Sequence, residues 1–592
     1  MRDNKVRWLS IVVMTMSLGL ASCSRDTGQE NMGDTVMTEE IAERVEKEKL
    51  PEMNKVPLRD KKLLYASDDE GSVVTMYLTV RRGNKAEGSN HSWEEINTYS
   101  TYDYDKMGVD RYRVEALLQV GDENGPLMGE LGYQAIGPNA TVQVRGQTSS
   151  RNAQKNYKVH LKDNKGTWRG QQTIALNKHQ SDGMRFRNKL GFDLLKELPQ
   201  TMSLRTQFVH LYVKDETGGS SGGFVDYGLY TQVEQLNKKA LRTHGLDSKG
   251  HLYKINFCEF YRSQDVIKLI DDPSFNEKAF DKLLESKGDS NHTKLIQMLD
   301  AVNDYSISSS ELIDNYFNME NMTYWMAFHI LTGNVDTQNR NFYIYSPQNL
   351  NNWYLMSWDN DTMFRGMENQ IRGRSDAQGW EKGVSNYWGN VLFQRCLKSE
   401  DFRKQLDAAI LDVKSYLSEE RISDWIDIYS PITKKYAYSM PDVQHESLTP
   451  ENYTQVAEAI PGEVEDNYQL YLESLQNPLP FFIGVPEIKD NKLVVRWDTS
   501  YDFQSEDISY KAEVARDYKM QDIVAEYEGI WPTMELDMLP VGQYFIRVKA
   551  RDISGHEQYA FDYYVVENGK VYGIKCFYVL PDGSIGEDVY EE

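Results

Sequence analysis

Five residues have the types and spacing to do chemistry together: Asp336, Asn339, Asn341, Asp359 and Asp361. Between them Asn341–Tyr345 is aromatic and β-branched, residues 346–352 are rich in breakers, and Trp353–Trp358 is apolar again. That pattern predicts a β-hairpin. A hairpin returns to where it started, so the residues before its first strand and after its second share one end, although 23 positions separate Asp336 from Asp359. Carboxylate and amide oxygens at one point, with no His or Cys among them, suit a hard cation such as Mg²⁺ rather than zinc.

An Asp, an Asn five positions on, a hairpin and then a second Asp is how protein kinases order their base, their metal-holding Asn and their metal-holding Asp. The eukaryotic wording is missing, since neither His-Arg-Asp nor Asp-Phe-Gly occurs in this segment. Spacing alone leaves a second reading open, an acidic hairpin end facing solvent, because Asp and Asn are ordinary turn residues.

The surrounding elements must position these groups. From Val73 the runs VVTMYLTV, YRVEALLQV and ATVQVRG alternate as antiparallel strands do, with a tyrosine-rich polar loop, YSTYDYDKMGVDRY, between them. In 144–163, Tyr157, Val159 and Leu161 alternate with Lys158, His160 and Lys162, and Arg145, Arg151 and Lys155 form a basic cluster. The cluster reads either as a phosphate contact or as a strand edge guarded by cations. Arg185–Lys196 has helical period, and Phe208–Val213 and Phe224–Val233 read as strands around a Gly/Ser loop. That loop matches G-x-S-x-G, but a strand follows it where a nucleophile elbow needs a helix, so it is a hairpin loop. Glu234 and Lys254 fall where a buried Glu–Lys pair could hold nucleotide phosphates; two unrelated charges is the alternative. Residues 273–332 are helical, with Ser308 and Glu311 as a capping box for a long helix that ends near Gly333.

Residues 386–476 continue as a helical lobe. From Pro478 short strands follow at regular spacing, and Trp497 and Tyr544 resemble fibronectin type III landmarks. Asn568–Tyr590 reads as a closing hairpin. At the other end, Lys5 and Arg7 precede an apolar Leu9–Leu20 and then Leu20-Ala21-Ser22-Cys23, which resembles a bacterial lipobox with Cys23 lipidated. Cys258, Cys396 and Cys576 imply no disulfide framework and no zinc spacing, and read as buried thiols. A formal net charge of −24 argues against nucleic acid and against an anionic membrane surface as partners. No internal apolar run reaches the length of about 18 residues that spanning needs, so the expected attachment is the anchor alone.

Six ordered blocks, VRGQTSSRNAQKNYKVHL, LNKHQSDGMRFRNKLGFDLLKEL, GLYTQVEQL, LYK, NVDTQNRNFYIY and WYLMSWDND, resemble the CotH kinase family over roughly 70–400. The resemblance implies an α+β, atypical protein-kinase-like domain, here followed by the fibronectin type III-like β-sandwich. It also implies ATP and Mg²⁺ as cofactors and a protein hydroxyl as acceptor. By the matching blocks Asp336 is the catalytic aspartate, Asn341, Asp359 and Asp361 the metal set, and Arg145, Lys155, Glu234 and Lys254 the nucleotide set. The expected organisation is a signal peptide at 1–23, a polar tether at 24–66 and a kinase-like domain at 67–477. Core motifs occupy 143–361 of that domain; a sandwich at 478–566 and a tail at 567–592 complete the chain. The expected place is the bacterial envelope, outside the cytoplasm. Two alternatives stand beside phosphotransfer: a non-catalytic surface adhesin or glycan-system lipoprotein whose kinase fold is retained for binding, and AMP transfer from the same site; the sandwich itself could hold a glycan or protein partner.

Overall fold

The computed structural model describes residues 56–587 apart from 67, 220–221, 375–378 and 568. The lipobox with Cys23 lies outside the described residues. Eight strands form the first sheet: β1 (Val73–Arg81), β2 (Val114–Asp122), β3 (Gly125–Pro126), β4 (Ala140–Arg145), β5 (Asn156–Leu161), β6 (Thr173–Asn177), β7 (Thr206–Asp215) and β8 (Val225–Glu234). Their order is β1-β7-β8-β6-β5-β4-β2-β3, and β1 also pairs with β2, so the sheet closes on itself as a barrel. Alternation supplies the interior: Val142 and Val144 of β4 and Tyr157, Val159 and Leu161 of β5 point into one apolar core with Met76, Leu78 and Leu118. The antiparallel expectation needs one correction, because β1 and β7 run parallel. A parallel pair needs a crossover between its strands, and here β2–β6 and three α-helices intervene.

The tyrosine-rich segment is not simply a loop. Ser92 and Ser100 each cap a short helix in a capping box, with Glu95 and Asp103 as the reciprocal partners, giving helices Trp93–Thr98 and Thr101–Met107. Tyr104 is buried beneath them.

The second lobe is built on a four-stranded antiparallel sheet, in the order β10 (Leu284–Ser286), β9 (His251–Ile255), β11 (Phe342–Ser346) and β12 (Tyr354–Ser357). Helix Met319–Leu331 packs on β12, and helix Glu400–Tyr416 packs on that helix. The expected single long helix is two. Ser308 caps Ser309–Tyr316, and Asn318 caps Met319–Leu331. Phe317, between them, bridges to Trp353 instead of continuing the helix. Helix Arg187–Glu197 leaves the barrel after β6 and puts Leu190, Leu194 and Leu195 into the core of the second lobe. Residues 56–65, read as the end of a tether, are packed on this body: Leu58 is buried, and the Val56 carbonyl accepts from Asn318 Nδ2 at 2.7 Å and the Tyr354 hydroxyl at 2.8 Å.

Beyond residue 478 two antiparallel sheets share one core that includes Leu493, Val495, Trp497, Val514, Ile546 and Phe577. The segment read as a closing tail is part of this unit. Strand Ile574–Val579 lies between Gly542–Arg551 and Ile585–Glu587, since Ile574, Phe577 and Val579 need an apolar face to cover them. Among the described residues no helix is long and apolar enough to cross a membrane.

Candidate active site

The hairpin forms as expected, and both of its ends are unusual. Helix Met319–Leu331 stops at Gly333 (φ +61°), and a 3₁₀ turn Val335–Thr337 presents Asp336. Asn341 (φ +61°) opens β11, and Asp359 (φ +58°) follows β12. Asn and Asp tolerate this left-handed region better than other side-chain-bearing residues. Asn341 Nδ2 donates to Asp336 Oδ2 at 2.7 Å, and Arg340 Nε donates to Asp336 Oδ1 at 2.5 Å. The Asp336 carboxylate is thereby fixed at both oxygens.

The far end is held from the barrel side. The Asn360 backbone N–H donates to Asn188 Oδ1 at 2.9 Å, and Asn188 Nδ2 lies 3.1 Å from His179 Nε2. His179 Nδ1 faces Asp361 at 3.5 Å. This chain of contacts suits the tautomer with the proton on Nδ1.

Electrostatics bind the three carboxyls into one group. Burial, then repulsion from Asp361, raises Asp359 to about 7 against the pull of His179 and Arg145. Asp336 is also raised, by burial first; Arg340 opposes this, and Asp361 and Glu381 add to it. Acids that hold one another's protons on are what a divalent cation relieves. Among the described residues no three His, Cys, Asp or Glu lie close enough to cage a metal on their own.

Basic groups face these acids. The Arg145 guanidinium donates to Asn177 Oδ1, lies 5.7 Å from the Trp358 ring centre and sits in the field of Asp359. Lys254 Nζ is 3.8 Å and Lys287 Nζ 2.5 Å from the Glu285 carboxylate. Lys158 and Arg111 share the same field, and burial pulls both below their ordinary values. The nucleotide set is therefore divided. Arg145 and Lys254 reach the acidic mouth, whereas Lys155 turns back and donates to the Ser150 carbonyl at 2.8 Å.

The Glu234–Lys254 pair is not formed. Glu234 accepts from Arg205 Nε at 3.1 Å and faces His244 Nε2 at 2.9 Å, and His244 Nδ1 meets Asp60 at 2.7 Å. Burial would raise Glu234, but His244 and Arg205 hold it down at about 2. The reason is register: Glu234 ends β8 opposite Ile174 of β6, while Lys254 sits in β9 between Glu285 and Tyr343. Sequence reading missed Arg111, His179 and Glu285 as site residues. Lys158 carried a signal, alternation that aims it away from the barrel interior. Glu285 carried none, because its strand has three residues.

Beside the Asp336 turn is a cavity of about 250 Å³ lined in part by Asn334, Arg365, Glu381, Lys382 and Glu463. The family model described as CotH kinase protein matches residues 142–471, a span that holds every site residue from Arg145 to Asp361. The chain belongs to the CotH kinase family. No curated protein matches it. Of solved structures, the kinase region of Caenorhabditis elegans twitchin (Fn31-NL-kin-CRD-Ig26) matches at 20% identity and TM-score 0.12, over 16% of this chain and 19% of that one. The Helicobacter pylori proinflammatory kinase CtkA matches at 10% identity and TM-score 0.26, over 53% of this chain and 91% of its own. The CotH kinase match stops short of the sandwich and of the N-terminal strap.

Proposed function

We propose that this CotH family member transfers the γ-phosphoryl group of ATP to a protein hydroxyl, outside the cytoplasm and held to the envelope by lipid on Cys23. The observation that carries the phosphotransfer reading is the hydrogen bond between Asn341 and Asp336 at the mouth that Asp359 closes. It joins a base and a metal ligand in the order phosphotransfer needs.

Each residue has a task its contacts support. Asp336, steadied by Arg340 and Asn341, accepts a hydrogen bond from the acceptor hydroxyl and aligns it for in-line attack. Asn341 spends its Nδ2 on Asp336, so its Oδ1 is the end that would hold Mg²⁺, together with Asp359. Bound there, Mg²⁺ neutralises phosphate charge. Arg145 and Lys254 offset the negative charge that remains. Glu234 lies outside this set and braces residues 56–65 and the barrel through His244 and Arg205. The sandwich is of fibronectin type III kind in this reading, which the bond from the Tyr544 hydroxyl to the Pro540 carbonyl at 3.0 Å supports as a tyrosine corner.

The test is incubation of residues 24–592 with Mg²⁺ and γ-labelled ATP, beside α-labelled ATP. Asp336→Ala is expected to abolish transfer of the γ label while sparing nucleotide binding, and Asp359→Ala to abolish Mg²⁺-dependent binding. Transfer of the α label instead would replace phosphotransfer with nucleotidyl transfer.

A further inference from the structure

The C-terminal sandwich does not hang from the kinase domain by a linker. Phe561 and Tyr572 belong to the same buried apolar cluster as the second lobe. Trp380 of that lobe donates from Nε1 to the Phe561 carbonyl at 3.0 Å and meets the Phe561 ring edge-on at 5.0 Å. The next residue, Glu381, is gripped by the sandwich at both oxygens: Lys570 Nζ donates to Oε1 at 2.8 Å and the Tyr572 hydroxyl to Oε2 at 2.7 Å. Lys570 and Tyr572 lie on strand Gly569–Tyr572, which pairs with Tyr563–Val566 as a separate two-stranded ribbon.

Glu381 is where this ribbon meets the chemistry. It lines the cavity beside the Asp336 turn. Asp336 lies in the field of Glu381, and Lys570 in that of Arg340, which holds Asp336 Oδ1. Arg340 also lies 5.3 Å from the ring centre of Phe257, which is 39% exposed. Asp336 is thus tied through Arg340 to an exposed ring of the second lobe, and it lies in the field of a carboxylate that the sandwich fixes. Water is too small an acceptor to reach both groups, whereas a hydroxyl carried on a polypeptide brings flanking residues long enough to do so.

We infer that the Tyr563–Tyr572 ribbon is one wall of the phosphoacceptor site, with Lys570 and Tyr572 as positioning residues that act on a polypeptide acceptor through Glu381. The inference rests on the phosphotransfer reading above. In it the sandwich determines which proteins are phosphorylated, and it is not a passive spacer.

The test compares two acceptors at one active site in the chain 24–592. Transfer to water is read as ATP hydrolysis, and transfer to polypeptide as labelling of a degenerate peptide library with one central Ser, Thr or Tyr. Lys570→Glu and the milder Tyr572→Phe are expected to lower peptide labelling relative to hydrolysis at least fivefold, chiefly through peptide KM, with the KM for ATP unmoved. Lys570→Arg is expected to restore the ratio. Peptide labelling within twofold of the parent in both variants, while hydrolysis persists, would overturn the inference alone. A parent chain that neither hydrolyses ATP nor labels peptide would overturn the phosphotransfer reading and this one with it.

Discussion

Gly191 lies so close to Asn360 that a Cβ added to it would come within 2.6 Å of the Asn360 Cβ and 2.7 Å of Met363 Sδ. A glycine inside a helix costs about 1 kcal/mol against alanine. Here the missing side chain lets helix Arg187–Glu197 seat directly against the segment that carries Asp359 and Asp361. Gly191→Val is expected to displace that segment and weaken Mg²⁺-dependent nucleotide binding at least tenfold, measured by calorimetry. Gly218→Val, in the open Gly/Ser loop where an added Cβ meets nothing, is expected to leave binding as it is.

Arg145 is the cation closest in function to Asp359. Arg145→Ala removes a charged partner worth about 1.5–3 kcal/mol. The KM for ATP is expected to rise roughly ten- to hundredfold by the same conversion. Arg145→Lys keeps the charge but not the planar fork that reaches Asn177, and is expected to fall between the two. Steady-state kinetics against ATP concentration decide this.

Stability should follow pH through the buried Asp60–His244–Glu234 chain. Burial would lower His244, yet Asp60 and Glu234 hold it up at about 9. A raised imidazole stabilises fully below its unfolded value near 6.5 and loses that contribution as pH climbs through 9. Glu234, held down at about 2, contributes above its unfolded value near 4.5 and loses its share as pH falls through 2. Both are whole between about pH 4.5 and 6.5. His244→Gln is expected to cost on the order of 3 kcal/mol in that window and much less at pH 9.5, as a pH series of urea midpoints would show. The two shifts describe one interaction and are not added.

Arg187 is fully buried between Asp182 Oδ1 and Glu368 Oε2, each 2.5 Å from its Nη1, and donates from Nε to the Phe364 carbonyl at 3.0 Å. Arg187→Ala strands these carboxylates and is expected to destabilise the second lobe by about 3–5 kcal/mol, read by urea denaturation. A smaller loss would mean that Arg372, which also pairs with Glu368, takes over.

The hairpin and its acids were legible in the sequence because the information is local: an aromatic and β-branched run, a breaker-rich turn and a second apolar run, with an Asp–Asn spacing that one turn can satisfy. The strands of the barrel were legible one by one, but not its closure. Closure needs β1 to pair with β2, 34 to 46 positions on, and with β7, 135 positions on, and no period encodes either. The division at Phe317 was hidden for the same reason, because its cause is Trp353. Glu234 misled through its position at a strand end, a place a kinase-like reading gives to a phosphate-holding pair. Its partners, Arg205, His244 and Asp60, are set by tertiary packing that a pattern of charges does not reveal.

A ring of strands has no outer strand from which to fray. In an open sheet the edge amides exchange with solvent first, and protection builds inward. In this barrel each strand of the ring is held from both sides, and helix Arg187–Glu197 pins the ring to the other core. Deuterium uptake across β1, β2 and β4–β8 is therefore expected to rise together, in one step, and at the same denaturant concentration as uptake in the hairpin at whose mouth Asp336 and Asn341 pair. The protein is then expected to have no partly open barrel to visit, so breathing at the mouth around Arg145 and Asp359 is confined to the loops.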